Sequence, residues 1–284
     1  METRVYSNEM IKQIVQFNNN INTKNIWNDK YPPKDFFKIN NKYDTSKWID
    51  LFYNYEIVTI KLENWMINAR KLSTRFNIKK FFRENIKIFS TNFKKINNIF
   101  DYKYSYYVMT NKGSIKNKLY CNIESIILDL ITSDISAPLF SIHQKKIVLY
   151  LIDLNKISKD DCFRLFIKNY ELKGISQLYI YKKNKKIKRK IDGENNNKYL
   201  SVLAEKILNV YYKQIYPVIK DIYQSCVIDI RINDYFWNIL DINPNGKKYG
   251  TNSCLFSWYD DNDLLENTKY SNFINFVNHF RVSF

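Results

Sequence analysis

Residues 226–246, CVIDIRINDYFWNILDINPNG, constrain the fold more than any other stretch. Apolar and polar side chains alternate on both sides of a short break, the period-two pattern of two half-buried strands. Asp229 and Arg231 fall on one face of the first strand, and Asp241 and Asn243 on one face of the second. A three-residue loop at Asp234–Phe236 sets Asp229 opposite Asp241, whereas a slip of one residue turns one carboxylate to the other face. Two carboxylates crowded on one sheet face repel, so one takes a proton or a cation sits between them. Two carboxylates and an amide oxygen are hard ligands that suit Mg²⁺, which keeps some water and takes further ligands from nucleotide phosphates. The competing reading is a solvated hairpin with incidental acids. Against it, Ile, Leu, Phe236 and Trp237 surround the acids, and unpaired carboxylates are costly in a buried sheet. The residues alone leave both readings open.

The 284-residue chain is 45% hydrophobic and 17% aromatic, with five Gly and five Pro. That composition excludes intrinsic disorder and collagen-like or linker-like chains. No uncharged apolar run reaches membrane-spanning length, and the first residues hold no secretory signal core, so a cytoplasmic protein is expected. The net charge is +17, from 45 Lys and Arg against 28 Asp and Glu. Such a balance suits nucleic-acid binding. It also suits the Lys, Asn, Ile and Tyr usage of an AT-rich genome, a virus or parasite among them; a viral source would make the setting a host cytoplasm. Cys121, Cys162, Cys226 and Cys254 form no CxxC pair, and His143 and His279 are the two histidines. A zinc site or redox dithiol is therefore not expected, and buried free thiols are. With two histidines and no GxSxG elbow, a Ser-His-Asp hydrolase is not expected.

Along the chain, residues 1–25 read as a polar helix or arm, and Tyr31-Pro32-Pro33 as an extended turn. The segment 46–63 begins helix-like and becomes a strand at Ile57–Leu62, and 64–100 carries helical apolar spacing. Tyr104–Met109 reads as a strand, followed by the loop Thr110-Asn111-Lys112-Gly113-Ser114. Cys121–Ile131 reads as a helix with Asn122 as N-cap, and Lys146–Leu154 as a continuous apolar strand. Phe163–Ile167 and Leu172–Tyr181 read as strands joined at Lys168–Glu171, and Leu200–Ile222 as a helix with a kink or boundary at Pro217. The Lys182–Lys190 run reads as an exposed loop; without interleaved aromatics it lacks base-stacking groups, but it could meet RNA or an acidic protein face. The last 25 or so residues read as mixed, largely helical. No repeat at solenoid periods occurs.

The order of these pieces resembles the cell division cycle 123 family. That family's pattern is a V-F-D-V-like strand, an I-D-F-N-P strand and an L-L-F-S-W segment. Here they read Val227–Ile230, Asp241-Ile242-Asn243-Pro244 and Leu255-Phe256-Ser257-Trp258. Phe163-Arg164-Leu165-Phe166-Ile167 and Ile175-Ser176-Gln177 resemble its E-F-R-C-F-V and I-S-Q stretches. Thr110–Ser114 resembles a degenerate S-P-K-D-A loop, Asn122–Asp134 the helix that follows it, and Trp48, Phe52 and Thr59-Ile60-Lys61 the W…F…T-I-K opening. The resemblance runs from about residue 46 to about 260.

It implies an α+β, ATP-grasp-like fold in which two lobes hold ATP and Mg²⁺ between them. The lobes would be 46–145 and 146–284, after an N-terminal arm at 1–45. It further implies that Asp229, Asp241 and Asn243 coordinate Mg²⁺, that Lys112 and Arg164 serve the phosphates, and that the backbone of Val148, Leu149, Tyr150 and Leu151 meets the adenine. Departures are specific. The family's L-R-K-W hinge reads Leu149-Tyr150-Leu151-Ile152, the Glu before F-R is Cys162, the Arg after I-S-Q is Leu178, and Asn111 and Gly113 flank Lys112. The metal set is kept while the basic groups around it are thinned. The expected function is an ATP- and Mg²⁺-binding assembly chaperone for eukaryotic translation initiation factor 2, binding its γ subunit. The alternatives are an ATP-grasp ligase working through an acyl phosphate, which needs more charge-neutralising residues than Lys112, Arg164 and Arg231, and a basic RNA-binding protein. Whether the chain is an enzyme stays open at the level of sequence.

Overall fold

The structure is a computed structural model, and it describes residues 2–6, 36–72, 100, 105–133, 137–140, 146–154, 161–179, 196–246, 254 and 279–283. The chain forms two compact units, 44–157 and 1–43 with 158–284. Both mix helices with sheets, so the α+β expectation holds.

In the unit 44–157, an antiparallel sheet runs in the order β2 (Tyr55–Lys61), β5 (Lys146–Asp153), β3 (Tyr106–Thr110), β4 (Gly113–Tyr120). Alternation sends Val58, Ile60, Ile147, Leu149, Leu151 and Val108 to one side. There they share a core with Met66 and Ala69 of helix α2 (Asn64–Leu72) and with Ile123, Ile126, Ile127 and Leu130 of helix α3 (Ile123–Thr132). The three- and four-residue spacing of those α3 residues is the apolar stripe of a packed helix. Asn122 caps α3 as expected, its side chain accepting from the Ser125 amide at 2.8 Å. At the other end, Arg70 donates to the carbonyls of Ile131 and Ser133 at 2.9 and 2.8 Å, satisfying end carbonyls with a cation. The strand expected to open the second lobe, β5, belongs instead to this sheet. Its continuous apolar run makes it a central strand buried on both faces.

The second unit, 1–43 with 158–284, holds a six-stranded sheet ordered β1 (Glu2–Tyr6), β10 (His279–Ser283), β7 (Glu171–Gln177), β6 (Cys162–Lys168), β8 (Cys226–Ile232), β9 (Trp237–Pro244). β1, β10 and β7 pair in parallel, and the rest are antiparallel. Helix α1 (Phe36–Lys42) belongs to this unit, the Lys42 carbonyl accepting from the Tyr223 hydroxyl at 3.0 Å. Two expectations are corrected here. Residues 2–6, expected within a helix or arm, are a strand, and so are 279–283 in the tail expected to be helical. Each is a five-residue element held by a neighbour remote in sequence, which local periodicity does not reveal.

The β6–β7 hairpin turns through Asn169 and Tyr170, both at positive φ (49° and 69°). This is the left-handed pair that a two-residue hairpin of matching twist requires. A tyrosine there is unusual. Its amide donates to the Gln224 carbonyl at 2.8 Å, and its carbonyl accepts from the Tyr211 hydroxyl at 3.0 Å, which offsets the conformational cost. Helix α4 (Asn196–Val210) continues through a π-helical turn, Tyr211–Ile215, into the short helix α5 (Tyr216–Ile219), with Pro217 in its first turn. The wide turn keeps Ala204, Ile207, Tyr211, Ile215 and Ile219 buried along one stripe. Trp237 donates to Gln214, and Lys206 to the Asn233 carbonyl, so this helical rod is tied to the β8–β9 hairpin as well.

Candidate functional site

The β8–β9 ladder sets Asp229 directly opposite Asp241, and Val227 opposite Asn243. The route differs from the expected one. The connection spans residues 233–236, one longer than expected, with the Asn233 side chain accepting from the amides of Tyr235 and Phe236 at 2.9 and 3.1 Å. A β-bulge between Ile239 and Asp241 then inserts Leu240 and shifts the register by one. Without that extra residue, Leu240 would face Asp229 and Asp241 would lie on the other side of the sheet.

On its other side, Asp229 pairs with Arg164 of β6. The guanidinium reaches it with both arms, Nε to Oδ1 at 2.6 Å and Nη2 to Oδ2 at 2.7 Å. The pair is almost fully buried, with 8% of Arg164 and 3% of Asp229 exposed. A buried guanidinium needs such an anion, and the fork fixes the carboxylate's orientation. Burial works against the arginine's charge, but Asp229 outweighs it and holds the Arg164 pKa above its ordinary value. Asp241 stands differently. Burial first, and the facing Asp229 second, push its carboxyl up to about 7, against the opposing pull of Asn243, Arg164 and the Ile242 amide. That amide donates to Asp241 Oδ1 at 3.0 Å.

Arg231 lies on the same face of β8 but is turned to the hairpin end. Its Nη2 donates to Asn238 Oδ1 at 2.6 Å, and its guanidinium stacks 4.4 Å from the Phe236 ring. Two further neighbours escape the sequence reading. Ser176 of β7 is in register with Arg164 and fully buried. Cys254, at φ 54°, lies beside Ser176 and Arg164, and burial pushes its thiol up to about 11. The alternation in Ile175-Ser176-Gln177 could have flagged the serine; Cys254 lies 78 residues further along the chain, a separation that no local pattern spans.

A Mg²⁺ fits this donor set. Asp241 and Asn243 offer oxygens from β9, and a carboxylate has lone pairs beyond the two that Arg164 uses on Asp229. A cation would also relieve the repulsion that raises the Asp241 pKa. Among the described residues no group of three His, Cys, Asp or Glu side chains gathers as a metal cage. The set is two carboxylates and an amide, the sparse kind that Mg²⁺ completes with phosphate oxygens and water.

The remaining sequence-derived residues lie in the unit 44–157. Lys112 sits in the β3–β4 turn, and its Nζ meets Asp44 Oδ1 at 2.6 Å. Val148, Leu149, Tyr150 and Leu151 lie within β5. There β2 flanks 146–152 and β3 flanks 149–153, so the backbone of Leu149, Tyr150 and Leu151 is enclosed by strands on both sides. The adenine contact that the resemblance assigned to those three backbones meets a ladder already in place. A hollow of about 420 Å³ opens beside the end of that strand, lined by Asn54, Tyr55, Glu56, Tyr106, Leu151 and Asp153. Lys182–Lys190, Leu255–Trp258 and His143 lie outside the described residues. All four cysteines are free, with Cys121 exposed and the others buried. No helix among the described residues is long and apolar enough to cross a membrane.

The fold is that of Cdc123. The structure of Cdc123 from Schizosaccharomyces pombe superposes with a TM-score of 0.55 at 17% identity, covering 87% of this chain and 97% of that one. A C-terminally truncated Cdc123 from the same yeast gives 0.56 at 16% identity, with the same coverage. No protein-family model matches the sequence, and no curated protein matches it.

Proposed function

We propose that this chain is a Cdc123-like assembly chaperone that binds ATP with Mg²⁺ and acts on the γ subunit of eukaryotic translation initiation factor 2. The observation that carries the reading is the opposed Asp229–Asp241 pair. It is clamped by Arg164 and flanked by Asn243 on the polar face of a sheet whose fold is that of Cdc123. Bound Mg²⁺ would supply positive charge to neutralise nucleotide phosphates. Arg164 would orient Asp229, and Asp241 and Asn243 would hold the ion from β9. The sequence resemblance to the cell division cycle 123 family supplies the partner.

The ligand acts here as a structural element. A nucleotide at a hundred times its Kd stabilises the folded state by about 2.7 kcal/mol. The test is calorimetric titration of ATP with Mg²⁺ into wild type and Asp241→Ala, with melts alongside, followed by capture of the purified γ subunit. Saturable binding that raises Tm and is lost in Asp241→Ala supports the site. Absence of binding to folded wild type overturns the nucleotide half, and failure to capture the γ subunit overturns the partner half. Sustained ATP turnover with an amine acceptor would replace the chaperone reading with a ligase.

A further inference from the structure

The sheet of the unit 44–157 changes character at one end. The face that carries Val58 of β2, Leu151 of β5 and Val108 of β3 into the core continues to Glu56, Asp153 and Tyr106, each two positions beyond the core residue of its strand. Acids on a row that is otherwise core-facing break the pattern, and such breaks gather at functional sites. Here the hollow of about 420 Å³ opens, lined by these three residues with Asn54, Tyr55 and Leu151. Glu56 is in register with Leu151, and Asp153 with Tyr106. The two acids are therefore diagonal neighbours on adjacent strands, about 7–8 Å apart at the backbone. Both are exposed, and Leu151 beside them is buried. Neither carboxylate is claimed by a cation. Asp44, Asp129, Glu171, Asp229 and Asp234 each meet a lysine or arginine. Among the described residues none meets Glu56 or Asp153, in a chain with 45 Lys and Arg for 28 Asp and Glu.

We infer that this hollow binds the cationic head of a lysine or arginine side chain presented by a protein partner. One ammonium or guanidinium between the two carboxylates donates to both, and charge-assisted bonds are about twice as strong as neutral ones. Tyr55 and Tyr106 line the same space, and an aromatic face attracts a cation within about 6 Å of its centroid. These rings are set in place by edge contacts, Tyr55 with Tyr150 at 5.3 Å and Tyr106 with Phe100 at 5.6 Å. Leu151 offers apolar surface to the aliphatic stem that a basic side chain carries behind its charge. The volume lies near the lower end of the range for ligand sites, about 300–1,000 Å³, which suits one side chain. A free polyamine fits less well, because its further charges would face a chain of net charge +17. The hollow lies within one unit, and the inference does not rest on the nucleotide reading.

The test is an NMR titration of the full chain with the blocked amides N-acetyl-lysine methylamide and N-acetyl-arginine methylamide. N-acetyl-norleucine methylamide serves as the uncharged control, and spermidine as the free polyamine. Saturable, millimolar binding of at least one basic amide is expected, with none for norleucine. Glu56→Gln and Asp153→Asn should each weaken it about tenfold, and Tyr106→Leu about two- to fivefold. Asp221→Asn, at an exposed acid of the other unit, should leave it unchanged. Melts verify that each variant folds, and the two isosteric acid variants decide the matter if Tyr106→Leu does not. No saturable binding of either basic amide to wild type overturns the inference, as does equal binding of norleucine or equal affinity in the acid variants. Spermidine binding tighter than both amides overturns the side-chain assignment in favour of a free polyamine. ATP with Mg²⁺ is titrated in parallel. Loss of ATP binding in Glu56→Gln and Asp153→Asn, with no amide binding to wild type, would give the hollow to the nucleotide instead; amide binding with ATP affinity unchanged in both variants supports a separate site.

Discussion

Arg164→Met is the most informative single change. The methionine keeps most of the aliphatic stem and removes the fork that meets Asp229 at 2.6 and 2.7 Å. Breaking one partner out of a buried ion pair costs about 3–5 kcal/mol, because the remaining charge is left uncompensated. Here the penalty falls at the upper end, since Asp241 already faces Asp229 from β9 and its carboxyl is already pushed up to about 7. At about 2–4 °C per kcal/mol for a chain of this class, Tm should fall by roughly 6–20 °C. The double variant Arg164→Met/Asp229→Leu should recover most of the loss, because apolar replacement of a buried pair is often neutral. The assay is a double-mutant cycle by calorimetry at pH 8, with a coupling of about 2 kcal/mol or more expected. The deficit of Arg164→Met should shrink at pH 5, where one of the two facing acids takes a proton. An Arg164→Met protein within about 1 kcal/mol of wild type, or a double variant no better than the single, would refute the view that this arginine neutralises the acidic pair.

Asp241 gives a pH prediction. Its folded pKa of about 7 lies above the ordinary 3.8, so between those values the folded state holds a proton that the unfolded chain has released. Stability should therefore fall as pH rises from about 4 to 7 and level off above. The slope is at most about 1.4 kcal/mol for each step of one in pH, and the partial exposure of Asp241 makes it shallower. Asp241→Asn should flatten that slope, and millimolar Mg²⁺ should flatten it in wild type by competing with the proton; chemical denaturation at stepped pH reads both, and an unchanged slope in Asp241→Asn would show that another group is responsible. In native protein, Cys121 alone should react rapidly with a thiol reagent, since Cys162, Cys226 and Cys254 are buried and burial pushes the last two thiols up. A second fast thiol at pH 8 would contradict the packing around Arg164.

The parts of this site that the sequence disclosed, and the parts it hid, divide by the range of the interaction that makes them. Asp229 and Asp241 are twelve residues apart, and alternation through a single hairpin brings them together. Even so, the four-residue connection and the bulge at Leu240 were not separable from a three-residue loop, because both leave the same two acids opposed. Arg164 lies sixty-five residues from Asp229, yet a guanidinium in an apolar strand already demanded an anion. The terminal strands carried no such demand. HFRVS and ETRVY are short, polar at intervals and equally compatible with arm or helix, and their strand character depends on parallel neighbours at the far end of the chain. At β5 the strand itself was legible, Lys146–Leu154 forming Lys146–Asp153, but its place between β2 and β3 was not. Its run of apolar residues already implied burial on both faces, and a strand so enclosed has its backbone committed to β2 and β3. An adenine contact by Leu149, Tyr150 and Leu151 would therefore have to use their side chains or the strand's end near Asp153, where the hollow opens.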